Sequence, residues 1–378
     1  MLDTVEALSP VKELVANVAA GFEHARAMPK SVYTSEEFAK LEIDKIFAKQ
    51  WFCAGRSTSL AKSGDYLTLN LAGEPIMVIR GQDGILRAQS NVCLHRMSTL
   101  LEGKGNKTSI VCPYHGWTYK TDGCLRAAPA MKQNKDFNVA AYRLPQLRCE
   151  EWLGWIMVSL NPDAPPVAEQ FQDVATMIAD YDMENYVEAF SEEFVWGTNW
   201  KVLAENFMES YHLPVCHAGT IGGLSKLDEM ICPPGEAHFN YHTILKEPSF
   251  KIGNAHPSNT QLSGDRRRMT YLLALYPSLL ITLTPGYFWY LSLHPLGPAQ
   301  VQVRFGGGMS RDFLNDADTD EHFKKLKALL DEVNVEDKSC TERVYRGLCS
   351  THATPGHLSH LERPNFDFAT WLARELSA

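Results

Sequence analysis

At 378 residues the chain is about two and a half times the size of a common domain, which excludes a single small module and predicts two domains, each burying its own core. Hydrophobic residues make up 45% and charged residues 21%, with no low-complexity or acidic tract, so the chain is expected to fold throughout. The 36 basic against 45 acidic residues leave a net charge of −9, which argues against nucleic acid or an anionic membrane as main partner, because both select a basic surface.

Residues 1–28 carry Asp3, Glu6 and Glu13 and lack a basic stretch followed by an apolar core, so no signal peptide is expected and the location expected is cytoplasmic. No run reaches 18 apolar residues, the length a membrane helix needs. Thr34 with Glu37 three residues on reads as a capping box before Phe38, Leu41, Ile46 and Phe47, predicting a helical segment over 1–48. After Trp51 the texture changes. Tyr66 to Leu71 alternates, Gly73-Glu74-Pro75 turns, Ile76 to Ile79 is apolar, and Gly81 to Gly84 turns again before Ile85 to Ala88, the spacing of short antiparallel strands. Asn161-Pro162-Asp163-Ala164-Pro165-Pro166 reads as a domain boundary, since proline stops both helix and sheet. Beyond it, helices are predicted over Val167 to Met183 and Lys201 to His212, and a long amphipathic one from Asp320. Strands are predicted over Tyr186 to Trp196, Met269 to Leu283 and Tyr287 to Leu293. Gly306-Gly307-Gly308 lacks the spacing and the lysine of a phosphate loop.

Nine cysteines, an odd count scattered along a long chain, read as thiols or metal ligands rather than a disulfide framework. Two of them belong to the most specific pattern in the chain: Cys93-Leu94-His95, sixteen residues, then Cys112-Pro113-Tyr114-His115. Two thiolates suit one iron of a 2Fe-2S cluster and two imidazoles the other, as in a Rieske centre. Structural zinc is the alternative, but zinc fingers pair Cys with Cys and His with His, whereas here each half is mixed. A second pattern follows Asn199-Trp200-Lys201. In the predicted helix Glu205, Glu209 and His212 share one face, Leu213-Pro214 ends the helix, and His217 follows in the turn. Two histidines need a carboxylate to complete a facial triad for iron(II). The long helix has an apolar stripe through Phe323, Leu326, Leu330, Val333, Asp337, Cys340 and Val344. Asp337 sits where a hydrophobe belongs, as a ligand or as half of a buried ion pair. Asp331, Glu332, Glu336 and Glu342 lie off the stripe and read as solvated charges.

These motifs resemble those of the Rieske non-heme iron oxygenases, catalytic alpha subunit. Asn91 to Arg96 and Cys112 to Tyr119 with Asp122-Gly123 look like the two cluster loops, with Met97 where many members have glycine. Glu205-x3-Glu209-x2-His212-x4-His217 looks like the mononuclear iron motif, and Glu336-Asp337 like the acidic pair whose second member is the third ligand. The resemblance implies an α+β fold: an antiparallel β Rieske domain over 49–162 and a helix-grip-like catalytic domain over 163–378, an antiparallel sheet covered by helices, with residues 1–48 packing on the latter. It implies one Rieske 2Fe-2S cluster on Cys93, His95, Cys112 and His115, and one mononuclear non-heme Fe(II) on His212, His217 and Asp337. O2 is the co-substrate. Glu205 and Asn206 come with the motif as site residues.

The resemblance further implies a shorter, homotrimeric type in which the cluster of one subunit serves the iron of the next, with Glu209 as the inter-subunit bridge. Most members have aspartate there, and glutamate is reminiscent of the subgroup oxidising carnitine and other quaternary ammonium compounds. Electrons are expected from a separate reductase, with or without a ferredoxin, because the chain has no dinucleotide fingerprint. The reaction expected is monooxygenation of a C–H bond next to a heteroatom, favouring N-dealkylation; arene cis-dihydroxylation is the alternative, and a non-catalytic Rieske or zinc module a distant one. Tyr211, Tyr276, Trp289, Tyr290 and His294 are the candidates for the substrate pocket, read either as sheet core or as an aromatic cage for a quaternary ammonium. Residues 243–268 are long enough for a lid, and Arg266-Arg267-Arg268 reads as a solvated face.

Overall fold

Short alternating strands joined by tight turns build the first of two units, Phe47–Glu169. The computed structural model describes residues 2–224 and 226–377. In this unit β1 (Phe52–Arg56), β2 (Asp65–Leu71), β3 (Glu74–Arg80), β4 (Leu86–Ser90), β5 (Lys104–Asn106), β9 (Gln146–Trp152) and β10 (Trp155–Ser159) form one antiparallel sheet in the order β1-β10-β9-β4-β3-β2-β5. A small sheet of β6 (Ile110–Val111), β7 (Thr118–Tyr119) and β8 (Leu125–Ala127) completes it. The β2–β3 turn is Ala72-Gly73, both with positive φ (51° and 88°), so Glu74 and Pro75 belong to the strand and not to the turn.

The second unit comprises 1–46 and 170–378. Its sheet is antiparallel: β11 (Val187–Trp196), β12 (Met230–Ile231), β13 (Phe239–Leu245), β14 (Met269–Leu275), β15 (Leu279–Leu283), β16 (Tyr287–Pro295) and β17 (Val301–Met309), in the order β11-β17-β16-β15-β14-β13-β12. The helices along the chain are α1 (Leu2–Ala19), α2 (Lys30–Thr34), α3 (Glu36–Glu42), α4 (Val167–Gln170), α5 (Gln172–Met177), α6 (Trp200–Met208), α7 (Leu213–Cys216), α8 (Thr319–Leu348) and α9 (Arg363–Ser377). Helix α6 packs on β14 and β16 and against α8, and α9 packs on β13. The architecture is the α+β combination expected. Among the described residues no helix is long and apolar enough to cross a membrane.

Several local expectations are corrected. Ser35, not Thr34, caps α3, accepting from Phe38 N at 3.1 Å; the Thr34 hydroxyl is spent on Lys30 O at the end of α2. The single helix expected over Val167 to Met183 is broken into α4, α5 and two 3-10 turns meeting at Asp182, whose φ is 54°. The predicted Lys201 to His212 helix stops at Met208. Leu213-Pro214 opens the one-turn α7 rather than ending a helix, since proline's missing amide does no harm in a first turn. On α8 the buried line is Leu326, Leu330, Val333, Asp337 and Thr341; Cys340 is half-buried and Val344 exposed. A strict 3-4-3-4 repeat drifts around a straight helix by about 20° per heptad, which brings Thr341 under in place of Cys340.

The α6 start is fixed by a buried ion pair. Lys201 Nζ donates to Glu42 Oε1 and Oε2 at 2.7 and 2.9 Å, and the rings of Phe38, Trp200 and Tyr33 lie within 5.3 to 5.7 Å of the ammonium. Removing one partner leaves an uncompensated buried charge. Lys201→Met is therefore expected to cost about 3–5 kcal/mol, read from denaturant unfolding.

Candidate metal centres

The two Cys–His loops are built on one plan. In the first, Cys93 N bonds Ser98 O at 2.8 Å and Met97 N bonds Cys93 O at 3.1 Å; in the second, Cys112 N bonds Trp117 O at 2.8 Å and Gly116 N bonds Cys112 O at 3.1 Å. Met97 and Gly116 hold equivalent places, both left-handed, with φ of 53° and 71°. Met97 thus occupies a conformation that favours glycine, its side chain exposed. Asn91 braces the first loop, its side chain bonded both ways to Leu101 at 2.8 and 3.0 Å.

Cys93 and Cys112 are buried in a core with Trp117 and Tyr119, their thiols facing each other. The rings of His95 and His115 lie 4.7 Å apart, and Trp117 stacks on His95 at 4.9 Å and 6°. His95 Nδ1 is buried without a hydrogen-bond partner, the state of a nitrogen shaped for a metal. Burial pushes the Cys93 thiol up. Burial opposes the Cys112 thiolate too, but backbone amides of Tyr114 and His115 outweigh it and hold that thiol below its usual range. Tyr119, named in the sequence only as the end of the second loop, accepts from Leu94 N at 3.0 Å, and its hydroxyl lies 3.3 Å from Cys93 Sγ, to which it would donate once that sulfur is a thiolate. Two buried thiols and two adjacent imidazoles, His95 half-buried and His115 exposed, fit a Rieske cluster.

In the second unit the ligating atoms of His212, His217 and Asp337 lie within 4.8 Å of one another. Asp337 Oδ1 is 3.1 Å from His217 Nε2 and 3.7 Å from His212 Nε2. Each imidazole gives its other nitrogen to a carboxylate: His212 Nδ1 to Glu209 Oε1 at 2.6 Å, His217 Nδ1 to Glu336 Oε2 at 2.7 Å. With the proton held at Nδ1, both Nε2 lone pairs point inward, the arrangement of a metal-ligating histidine. Burial acts to lower the His217 pKa, but Asp337 and Glu336 outweigh it and hold it above the ordinary value. Asn206 donates to Asp337 Oδ1 at 2.8 Å.

Two expectations change here. Glu205, Glu209 and His212 do not share a helix face, because Glu209 is extended (φ −133°) and its carboxylate accepts from the amides of Tyr211 and His212, a local bonding pattern that competes with helix. Glu336 is not a solvated charge. It accepts from His217 and from Thr220 Oγ1 at 2.6 Å, and its place beside Asp337 was the only sequence signal for this role.

Residues 183–378 match the family model of the ring hydroxylating alpha subunit (catalytic domain), and residues 50–146 match the Rieske [2Fe-2S] domain. The chain belongs to the Rieske non-heme iron oxygenases. As a catalytic alpha subunit of that family it carries one Rieske 2Fe-2S cluster and one mononuclear iron. This oxygenase is 29% identical to the carnitine monooxygenase oxygenase subunit of Escherichia coli, over 91% of this chain and 90% of that protein. It is 26% identical to the glycine betaine monooxygenase oxygenase subunit of Chromohalobacter salexigens, over 96% and 89%. Its fold is similar to that of the quaternary ammonium Rieske monooxygenase CntA, with a TM-score of 0.83 at 24% identity, covering 95% of this chain and 98% of that one.

A pocket opens on the oxygenase's His212–His217–Asp337 group, with Trp289 and Phe207 as its aromatic walls. The other pocket candidates lie elsewhere. Trp289 and Leu291 turn toward the cavity, so their neighbour Tyr290 and, in the same parity, His294 turn to the opposite face of the sheet. Tyr290 donates to Glu188 Oε1 at 3.0 Å, and burial pushes His294 down to about 4. The Tyr276 ring packs at a tilt of 30°, 4.7 Å from Trp371 of α9, and Tyr211 is half exposed outside the lining. Glu205 points away too, held by Tyr33 Oη at 2.7 Å, and burial pushes it up to about 7. The expected solvated arginines are anchors: Arg266 pairs with Asp180 and reaches Tyr271 Oη at 2.8 Å, while Arg267 holds the carbonyls of Asn259, Leu262 and His256.

Glu336→Ala is expected to weaken iron binding at the second centre ~10–100-fold while the cluster's visible spectrum stays unchanged, measured by iron analysis across a chelator series. Tyr119→Phe removes a hydrogen bond to a cluster sulfur and is expected to shift the Rieske potential to a more negative value in a redox titration.

Proposed function

We propose that this oxygenase is the terminal component of a multicomponent monooxygenase that hydroxylates a C–H bond next to a heteroatom, with N-dealkylation as the outcome. Cys93, His95, Cys112 and His115 would hold the cluster, and His212, His217 and Asp337 the iron. When bound, the two centres supply electrons and activate O2. The protein's own part is positioning. Glu209 and Glu336 fix the tautomer and direction of the two imidazoles, Asn206 fixes Asp337, and the cavity's apolar walls keep bulk water from the reacting carbon. Overall, RH + O2 + 2e⁻ + 2H⁺ gives ROH + H2O; on a carbon bonded to nitrogen the product is a hemiaminal, which collapses to an amine and a carbonyl compound.

The observation that carries this reading is Glu209. Its carboxylate holds His212 Nδ1 at 2.6 Å, and the residue itself lies just beyond the end of α6. The relatives named for carnitine and glycine betaine monooxygenation favour monooxygenation over arene dihydroxylation. A ring of three subunits would bring His115 of one to Glu209 of the next. Exposed apolar side chains beside the cluster loops, Met97 and Tyr114, and beside the iron, Tyr211 and Val215, are surface that such contacts would cover. A reductase, alone or through a ferredoxin, would supply electrons drawn from NAD(P)H.

Glu209→Ala is expected to retain both metal centres by iron analysis and visible spectrum, yet to yield almost no product in a single turnover of pre-reduced enzyme. A normal single-turnover yield would remove the bridge role. Product analysis separates the chemistries: dealkylated amine with aldehyde supports the reading, and a cis-diol contradicts it.

A further inference from the structure

The cavity beside the iron group has a sharply divided lining. Leu203 and Phe207 of α6, Leu272, Trp289 and Leu291 of the sheet, and Val333 of α8 give it apolar walls. The polar lining residues already have partners. Asn206 donates to Asp337, Glu209 accepts from His212, and the Ser210 hydroxyl bonds His242 Nε2 at 2.6 Å; His212, His217 and Asp337 form the candidate iron site. Among the described lining residues there is no lysine or arginine.

These facts bear on which substrate can enter. A carboxylate brought into the cavity would lose its water and find no lysine or arginine among the described lining residues to replace it, a costly way to bury a charge. A quaternary ammonium would fare little better. The cavity offers two rings, Phe207 and Trp289, whose centroids are 5.6 Å apart at 77°, so one ring's edge meets the other's face and no multi-sided cage forms. The nearby carboxylates, Glu209 and Asp337, are already bonded to His212, His217 and Asn206. An apolar body, by contrast, meets hydrocarbon from two helices and the sheet at once.

We infer that the substrate of this site is an uncharged N-alkyl compound with an apolar body, not a betaine. The inference rests on the N-dealkylating reading above and specifies its substrate class. In the reaction it assigns, an N-methyl tertiary amine, O2, two electrons and two protons give the secondary amine, formaldehyde and water. A C–H bond of the methyl group becomes C–OH, the C–N bond breaks as the hemiaminal collapses, and the two electrons come from the reductase. Leu272 lies on the sheet wall, where a cation introduced by substitution would give a carboxylate the partner it lacks.

The test uses anaerobic holoenzyme with nitric oxide on the ferrous site, whose EPR signal responds to occupancy of the cavity without turnover. N,N-dimethylaniline, glycine betaine and L-carnitine are titrated separately. The expected result is that N,N-dimethylaniline perturbs the signal at concentrations at least ~100-fold below either betaine. A betaine acting at equal or lower concentration, or no perturbation by N,N-dimethylaniline, would overturn the inference. In Leu272→Arg the order is expected to narrow or reverse, with glycine betaine gaining effect; the wild-type titration decides the matter should that variant not fold. Turnover of N,N-dimethylaniline then separates the two levels. N-methylaniline with formaldehyde supports both, whereas a ring diol from a molecule that binds leaves the pocket inference standing and removes the N-dealkylating reading.

Discussion

A carboxylate belongs in the interior only where something positive meets it, and Asp337 is the residue on which the second unit's chemistry depends. It stands 7% exposed on the buried line of α8, between Val333 and Thr341, with His217 Nε2 3.1 Å away and the Asn206 amide at 2.8 Å. Burying it unpaired would cost several kcal/mol. The same helix therefore packs the core and closes the iron group, because the residue before it, Glu336, reaches His217 from the other side. Two adjacent acids on one helix thus play opposite parts, one toward the inward nitrogen of a histidine and one toward its outward nitrogen.

The first unit solves the same problem with thiols. Two loops of equal hydrogen-bond plan bring Cys93 and Cys112 face to face, and a core containing Trp117 and Tyr119 closes over them. Backbone amides and the Tyr119 hydroxyl, rather than charged side chains, balance the sulfur charge. Such hydrogen bonds raise a cluster's potential. In both units the candidate ligating groups are held by hydrogen bonds from neighbouring residues.

The ligand sets were legible because they combine rare residue types at short spacing: Cys and His mixed within each loop, a histidine pair five residues apart, and an acid inside an apolar stripe. The supporting residues were less so. Glu336 sits one position off the stripe, and no pattern in α8 reveals that His217 lies on that side. The end of α6 at Met208 was hidden because Glu209 looks helical by spacing, yet its carboxylate bonds two amides just ahead of it. The pocket candidates failed for a different reason. Tyr287-Phe288-Trp289-Tyr290 is aromatic at every position, so alternation gives no hint of which face meets the cavity, and only packing against Phe207 selects Trp289. The apolar character of the cavity follows from that choice of face.

The central claim is that the His212–His217–Asp337 group and the two Cys–His loops hold iron of two kinds in one chain. Anomalous diffraction collected on either side of the iron edge tests it directly. The account predicts one iron peak bounded by His212 Nε2, His217 Nε2 and the Asp337 carboxylate, and a pair of iron peaks between Cys93, Cys112, His95 and His115. No iron at the first position, or a single zinc at the second, would contradict it.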